Sequence, residues 1–409
     1  MNSRLLSLFV LMPAIYACSQ KEIAMIRNPL SEPVNELVCE LDSVQLIQSI
    51  TSIPDSELVA YDGKKEIPAQ VIRKDGKVLS ILVQTDFSAS EQKKIILQRG
   101  TPKAFSAKTQ AEISVKDGGE WVWVKKKNGN EQYEYVGGDW KDVKSLKVDK
   151  KHTDHSFDIR YEGPGWESDK IGFRFYLDWR NANDIFGKKT SKLILHKVGL
   201  DGFDSYHKMS DWGADILKVG ESLGIGTIAH WADSAANRIA KTDSLYSEVS
   251  YSGLLESKVT TNYYGWEFAN GKTDLISELS IRAGSYLTKA HLTTTGPIDN
   301  ICTGIVKMDS TIVLNSSASE GEWQYLATFG KQSLENDKMG LFVFFRGKDL
   351  TENTEDKYSH IVVLKPEKNE ITYYFGGIWE QDASGINSIE GFKRFLDRHQ
   401  ALLDAKITQ

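Results

Sequence analysis

A chain of 409 residues, 40% hydrophobic and 26% charged, has the make-up of a globular protein with ample core, long enough for two or three domains. Its 50 basic against 56 acidic side chains, a net charge of -6, lack the basic footprint of a nucleic-acid binder, so no nucleic-acid partner is expected. Nor does that balance pull anions in globally, so an anionic substrate must be held by local arginines.

The chain opens on a targeting segment. Arg4 supplies a positive start, and Leu5 to Tyr16 is an apolar run too short to span a bilayer. Ala17-Cys18 closes it in the manner of a bacterial lipoprotein lipobox, although Tyr16 is bulky for that motif. The expectation is a signal peptide over 1–18, lipidation of Cys18, and an exported protein anchored in the periplasm or outer membrane. Simple secretion is the alternative. No other stretch is apolar for long enough to be a membrane helix. Cys39 and Cys302 can pair in an oxidising compartment or remain buried thiols.

Residues 19–33 read as a polar linker with two prolines. A small β-domain is predicted over 34–104, with strands at Val44–Ile47, Leu58–Tyr61, Gln70–Ile72, Val78–Val83 and Lys93–Gln98, and turns on Asp62-Gly63 and Asp75-Gly76. From 105 to 409 the pattern stays β. Strands are predicted at Glu120–Val124, Asp274–Ile281, Tyr286–Thr294, Trp323–Phe329, Gly340–Arg346, Ile361–Leu364 and Ile371–Phe375, with Pro366–Asn369 as a hairpin between the last two. Leu341 to Phe345 is apolar on both faces, as a strand buried between layers must be. Asp211–Leu223 is expected to be partly helical despite its glycines. A firmer helix ends the chain: Asn387 caps, Glu390 follows three residues on, and Ile389, Phe392, Phe395, Leu396, Leu402 and Leu403 form a stripe. The fold class is therefore mostly β: a small N-terminal β-domain, then a large antiparallel sandwich of the supersandwich kind with a C-terminal helix.

Chemistry concentrates between Thr153 and Thr190. As a strand, Lys170–Arg180 alternates: Ile171, Phe173, Phe175, Leu177 and Trp179 face one way, Arg174, Tyr176, Asp178 and Arg180 the other. The second row is either a solvated face with an Arg174–Asp178 ion pair or the floor of a polar groove whose arginine forks take carboxylates. Gly163-Pro164-Gly165 predicts a tight turn presenting Trp166 and Glu167, an indole to stack on a sugar beside an acid for its hydroxyls; the plainer reading makes Trp166 a core plug. His152, Asp154 and His155 have metal-ligand chemistry, with His155 the favoured member, against a polar strand entry with one buried histidine. No organic cofactor is implied, and a divalent metal stays open. Tyr206, His207, Asp211, Trp212 and Asp215 crowd a loop-like stretch where His207 can serve as general base or acid. His196, His230, His291, His360 and His399 read as structural.

The run from His152 to Thr190, then YHKMSDWGADILKVGESLGIG from Tyr206 and LSIRAGSYLT from Leu279, resembles the bacterial family called domain of unknown function 4861, over most of the chain from Val34 to the last helix. The resemblance implies a secreted or lipid-anchored protein of polysaccharide-degrading bacteria, encoded beside enzymes for uronate-containing glycans such as pectin, alginate or ulvan. It transfers no active site. Together with the residues it leads to a carbohydrate-active protein that takes acidic oligosaccharides and works by β-elimination, as a lyase or dehydratase. Arg174 or Arg180 would neutralise the uronate carboxylate, His207 take the carbon-acid proton, and Tyr206 or Tyr176 protonate the leaving oxygen. Trp166, Asp178, Asp211, Trp212 and His155 would bind substrate. The alternatives are a glycoside hydrolase with two carboxylates drawn from Glu167, Asp178, Asp211 and Asp215, and a non-catalytic glycan-binding lipoprotein with a tryptophan-rich groove.

Overall fold

The computed structural model describes residues 21–202, 204–316 and 322–406, so the signal segment and Cys18 lie outside the described residues. Near the N-terminus, alternating apolar residues build two small antiparallel sheets face to face. One runs in the order Glu22–Arg27, Gln92–Arg99, Leu58–Asp62, Lys65–Ile67, the other Val34–Leu41, Lys77–Phe87, Ala69–Lys74. Leu37, Leu58, Ile81, Ile95 and Leu97 fill the space between them. The Gly63 and Gly76 turns form as expected, both glycines at positive φ.

Two expectations change here. Glu22–Arg27 is not linker but a strand paired with Gln92–Arg99, where its Ile26 joins the core. Val44–Ile47 is not a strand but the start of the helix Val44–Ile50. The Ser43 hydroxyl accepts from the Leu46 amide (3.3 Å), and the helix buries Leu46 and Ile50 four residues apart.

The larger part rests on a nine-stranded antiparallel sheet, in order Ser145–Lys147, Ser244–Ser252, Glu256–Phe268, Gly271–Arg282, Leu287–Thr294, Glu370–Trp379, Lys338–Arg346, Trp323–Lys331, Thr311–Asn315. Across one face lies a five-stranded sheet: Gly213–Asp215, Asn183–Lys188, Ile171–Phe175, Gly165–Ser168, Thr109–Glu112. Trp166 lies nearly parallel to Phe173 (5.5 Å between ring centres), and Phe173 meets Phe375 of the larger sheet edge-on at 5.6 Å. Residues 339–345 are buried on both faces, as their unbroken apolar run requires. The helix Ile389–Asp404 covers one of those faces, with Phe395 against Phe342 (5.3 Å) and Phe392 stacked on Phe329 (5.3 Å). Ser388, not Asn387, is its cap, accepting from the Gly391 amide at 3.2 Å.

Pro366–Asn369 turns the chain but makes no hairpin. Ser359–Leu364 pairs with Ile301–Val306 and Leu350–Glu355 in a further five-stranded sheet, whereas Glu370–Trp379 pairs with Leu287–Thr294 and Lys338–Arg346. The turn thus hands the chain from one layer to the next. Asp211–Leu223 is not helical: it holds the strand Gly213–Asp215 followed by loop. Gly213 explains this, since φ is 130° and a Cβ there would sit 1.8 Å from the Gly187 carbonyl oxygen. Cys39 and Cys302 are buried free thiols in separate cores. Among the described residues no helix is long and apolar enough to cross a membrane.

Candidate functional site

The strand Ile171–Phe175 has no solvated side; all five residues are buried. It ends at Phe175 because Tyr176 to Ala182 turn back, with the Tyr176 amide donating to Ala182 O (3.0 Å) and the Asn181 amide to Asp178 O (3.0 Å). Arg180 therefore leaves the expected alternation, and Trp179 is 49% exposed instead of in the core. The polar row becomes the middle of an ionic network, and the Arg174–Asp178 pair does not form. Arg174 donates to Asp184 through Nε and Nη2 (3.2 and 2.8 Å), to Asp215 through Nη2 (2.5 Å) and to the Tyr206 hydroxyl through Nη1 (2.8 Å). Glu162 stands 3.7 Å from its Nη1. Tyr176 donates its hydroxyl to Asp184 at 2.6 Å. Burial, then the neighbouring Asp184, pushes the Asp215 carboxyl well above its usual range.

The network comes to the surface at the loop 152–162. Arg180 Nη1 is 2.8 Å from Asp154 Oδ1 and its Nη2 2.8 Å from Glu162 Oε1, while the same guanidinium binds Asp178. The His155 ring, 49% exposed, pairs with Asp154 and lies 3.9 Å from Glu162. Its hydrogen bond to Asp154 raises the imidazole above its ordinary value. Burial alone would lift Asp154, but His155 and Arg180 outweigh it and hold that carboxyl down at about 2. His152 belongs elsewhere: it is buried against Asp158 at 2.8 Å. Backbone strain gathers in the same place, with His155, Phe157, Tyr161 and Glu162 all at positive φ between 39 and 71°, and Asn181 opposite at 41°. Non-glycine residues are held so only where the surroundings over-determine them, which is common at functional sites.

Asp154, His155 and Glu162 bring one ligand atom each within 4.8 Å of one another, a mixed carboxylate and imidazole set of the kind that holds a divalent cation. Arg180 already spans the two carboxylates, so a cation entering there must displace it. Five carboxylates (Asp154, Glu162, Asp178, Asp184, Asp215) gather around the guanidiniums of Arg174 and Arg180 in this network.

His207 marks a second opening. Its ring is 43% exposed, lies 4.7 Å from the Tyr206 ring centre, and reaches Asp215 Oδ2 at 3.4 Å. Tyr206 itself is buried, burial raising its phenol, and so is Tyr176, which leaves neither hydroxyl in reach of a leaving group. Asp211 is exposed, and Trp212 is half-buried edge-on to Phe186 at 6.0 Å. Neither Trp166 nor Glu167 is presented at a turn tip. Trp166 is fully buried, its Nε1 donating to Thr288 Oγ1 at 2.8 Å. Glu167 is fully buried on Lys188 (2.6 Å) and accepts from the amides of Ile194 and Leu195 (2.6 and 2.8 Å). A substrate cannot reach a carboxylate so enclosed. Glu162 and Asp184, central to the network, went unread in the sequence. Both lie within the 152–190 run, and an acid directly before the apolar pair Ile185-Phe186 was the signal to follow.

Beside the network runs a cleft of about 640 Å³, lined among others by Lys150, His152, Asp178, Trp179, Lys241 and Asp243. Asp178 is common to both: its carboxylate is buried on Arg180, and the residue forms part of the cleft wall.

Fold and site thus define a mostly-β protein with a buried ionic centre that opens at two half-exposed histidines. The chain belongs to the family described as Domain of unknown function (DUF4861), whose model matches residues 26–408. No curated protein matches it in sequence. Among solved structures it is similar to a protein in the glycosyl hydrolase family 38 from Enterococcus faecalis (9% identity, TM-score 0.44, covering 95% of this chain and 46% of that one). An α-mannosidase from Enterococcus faecalis V583 compares at 10% identity and TM-score 0.44, over 95% and 45%. The chain spans less than half the length of either.

Proposed function

We propose that the protein is a carbohydrate-active enzyme of the exported compartment, lipid-anchored at Cys18, that acts on acidic, uronate-containing oligosaccharides by β-elimination. The observation that carries this reading is His207, a half-exposed imidazole seated on the buried Asp215 at the edge of the ionic network. In the elimination the imidazole takes the proton from the carbon beside the uronate carboxylate, and the C–H electrons form the new double bond. The leaving oxygen departs and takes its proton from the imidazolium, while Asp215 Oδ2, 3.4 Å from the ring, keeps that ring oriented. The buried network fixes Asp215, and so the ring upon it, in place.

The role first given to Arg174 must move, because that guanidinium is sealed among Glu162, Asp184 and Asp215. Arg180 is closer to solvent but is engaged by three acids. A divalent cation held by Asp154, His155 and Glu162, at the other opening of the network, would bind a carboxylate of the same acidic substrate.

The test is incubation of the chain lacking residues 1–18 with pectin, alginate and ulvan oligosaccharides, following ultraviolet absorbance and product masses. New absorbance that falls about 10²–10⁴-fold in His207→Ala is expected. Full turnover in that variant sinks the assignment, and cleavage without absorbance replaces elimination by hydrolysis.

A further inference from the structure

Outside this network the molecule carries an unusual ribbon. Ser114–Lys125 and Glu131–Asp142 form a two-stranded sheet of their own, twelve residues to each strand. Its register sets Trp123 opposite Tyr133 and Trp121 opposite Tyr135. Side chains of alternate residues share a face, so all four rings stand on one side of the ribbon. Trp121 stacks on Tyr133 at 5.3 Å and meets Tyr135 edge-on at 5.6 Å, while Trp123 packs on Tyr133 at 5.1 Å. None of the four is buried, and Trp123 is 69% exposed. A core has no use for such a row. Stacked aromatic faces with wet edges suit the flat, weakly polar face of a pyranose ring.

Charge narrows the occupant. Lys151 lies over both Trp121 and Tyr133, at 5.6 and 5.9 Å from their centres, and Lys125 shares the aromatic face by its register, opposite Glu131. Exposed Lys127 stands at the turn beyond them. The loop carrying Lys151 also supplies Val148, Asp149, Lys150, His152 and Thr153 to the wall of the cleft, so the ring face and the cleft meet at that loop. The ribbon is tied to the strained loop as well, Gln132 Nε2 donating to Asp154 O at 2.6 Å and the Tyr135 amide to Ser156 O at 2.8 Å.

We propose that the aromatic face of this ribbon is a binding subsite for an acidic polysaccharide, whose sugar rings stack on Trp121, Trp123 and Tyr133 while its carboxylates meet Lys151. The choice of an acidic chain rests on the reading of the site as uronate-specific; the stacking surface itself does not. The chain lies from the cleft over the 148–153 loop and along the ribbon, so the ribbon serves long substrates and leaves short ones unaffected.

The test is affinity electrophoresis of the chain lacking residues 1–18 in gels containing polygalacturonate, alginate or an uncharged galactan. The wild type is expected to be retarded by the acidic polymers and not by galactan. Trp123→Ala should weaken that binding about tenfold, Trp123→Tyr should keep most of it, and Lys151→Ala should weaken it in a salt-dependent way. Being exposed, Trp123 can be removed without loss of fold. Equal retardation of wild type and Trp123→Ala, equal retardation by galactan, or no retardation by any polymer overturns the proposal. His207→Ala separates the two readings, since it should abolish product and leave retardation intact. Retardation that needs Trp123, without product from the wild type, removes the elimination reading and leaves the subsite standing.

Discussion

The strand Ile171–Phe175 has two faces that are equally dry and chemically opposite. Phe173, on one, is held by Trp166 and Phe375 through many weak contacts that repack when a neighbour changes. Arg174, on the other, is held by a few strong contacts whose geometry is exacting, to Asp184, Asp215 and the Tyr206 hydroxyl. Burial therefore measures nothing by itself. What matters is whether the buried group has partners that must be lost together with it.

Removing Arg174 is the harshest way to test that contrast. Arg174→Ala strands Asp184 and Asp215 without their cation, and should cost about 3–5 kcal/mol of stability in denaturant titration. Phe173→Leu, on the apolar face, should cost about 1–2 kcal/mol, since the core can close on a smaller apolar side chain. Equal losses would mean that the ionic face is no more exacting than the aromatic one.

A buried titratable group without a charge partner sharpens the comparison. Burial holds His399, in the last helix, down at about 4, its Nδ1 donating to the Phe395 carbonyl at 2.7 Å. Its ordinary value is 6.5, so the unfolded chain binds the proton first as pH falls. Stability from this group is complete above about 6.5 and is lost between there and about 4, on the order of 3 kcal/mol in all. Thermal melts from pH 7 to pH 4 should show that loss, and a His399→Gln variant should show less of it. An unchanged slope in the variant would remove His399 as its source.

The smallest effect belongs inside the network. Burial and then Asp184 push the Asp215 carboxyl upward, toward its protonated form, so Asp215→Asn should cost under about 1 kcal/mol. A loss matching that of Arg174→Ala would show that Asp215 is ionised in the folded protein. The outcome thereby decides how many of the five acids must be balanced by the two arginines.

Much of the fold was legible in the residues, because it follows from short-range pattern. Alternation located the strands, Asp-Gly located the two hairpin turns, and the stripe from Ile389 to Leu403 located the final helix. Two misreadings share a cause. Pro366–Asn369 was correctly a turn, but which strands it separates depends on partners far away in the chain. The alternation through Arg174, Tyr176, Asp178 and Arg180 was real only as far as the turn at Tyr176, and nothing local announces that turn.

The candidate site was half legible on the same grounds. Its segment, its histidines and its arginines stand out by type, and residue type alone shows that chemistry gathers between His152 and Asp215. Which of those groups meet was decided only by the tertiary structure. Asp184 and Asp215 reach Arg174 from neighbouring strands, Glu162 joins them through a strained turn, and Trp166 and Glu167 are drawn inward instead of out. The physical reason is that a charged side chain's environment is set by whatever distant residues pay its desolvation, and those pairings carry no periodic trace in the chain.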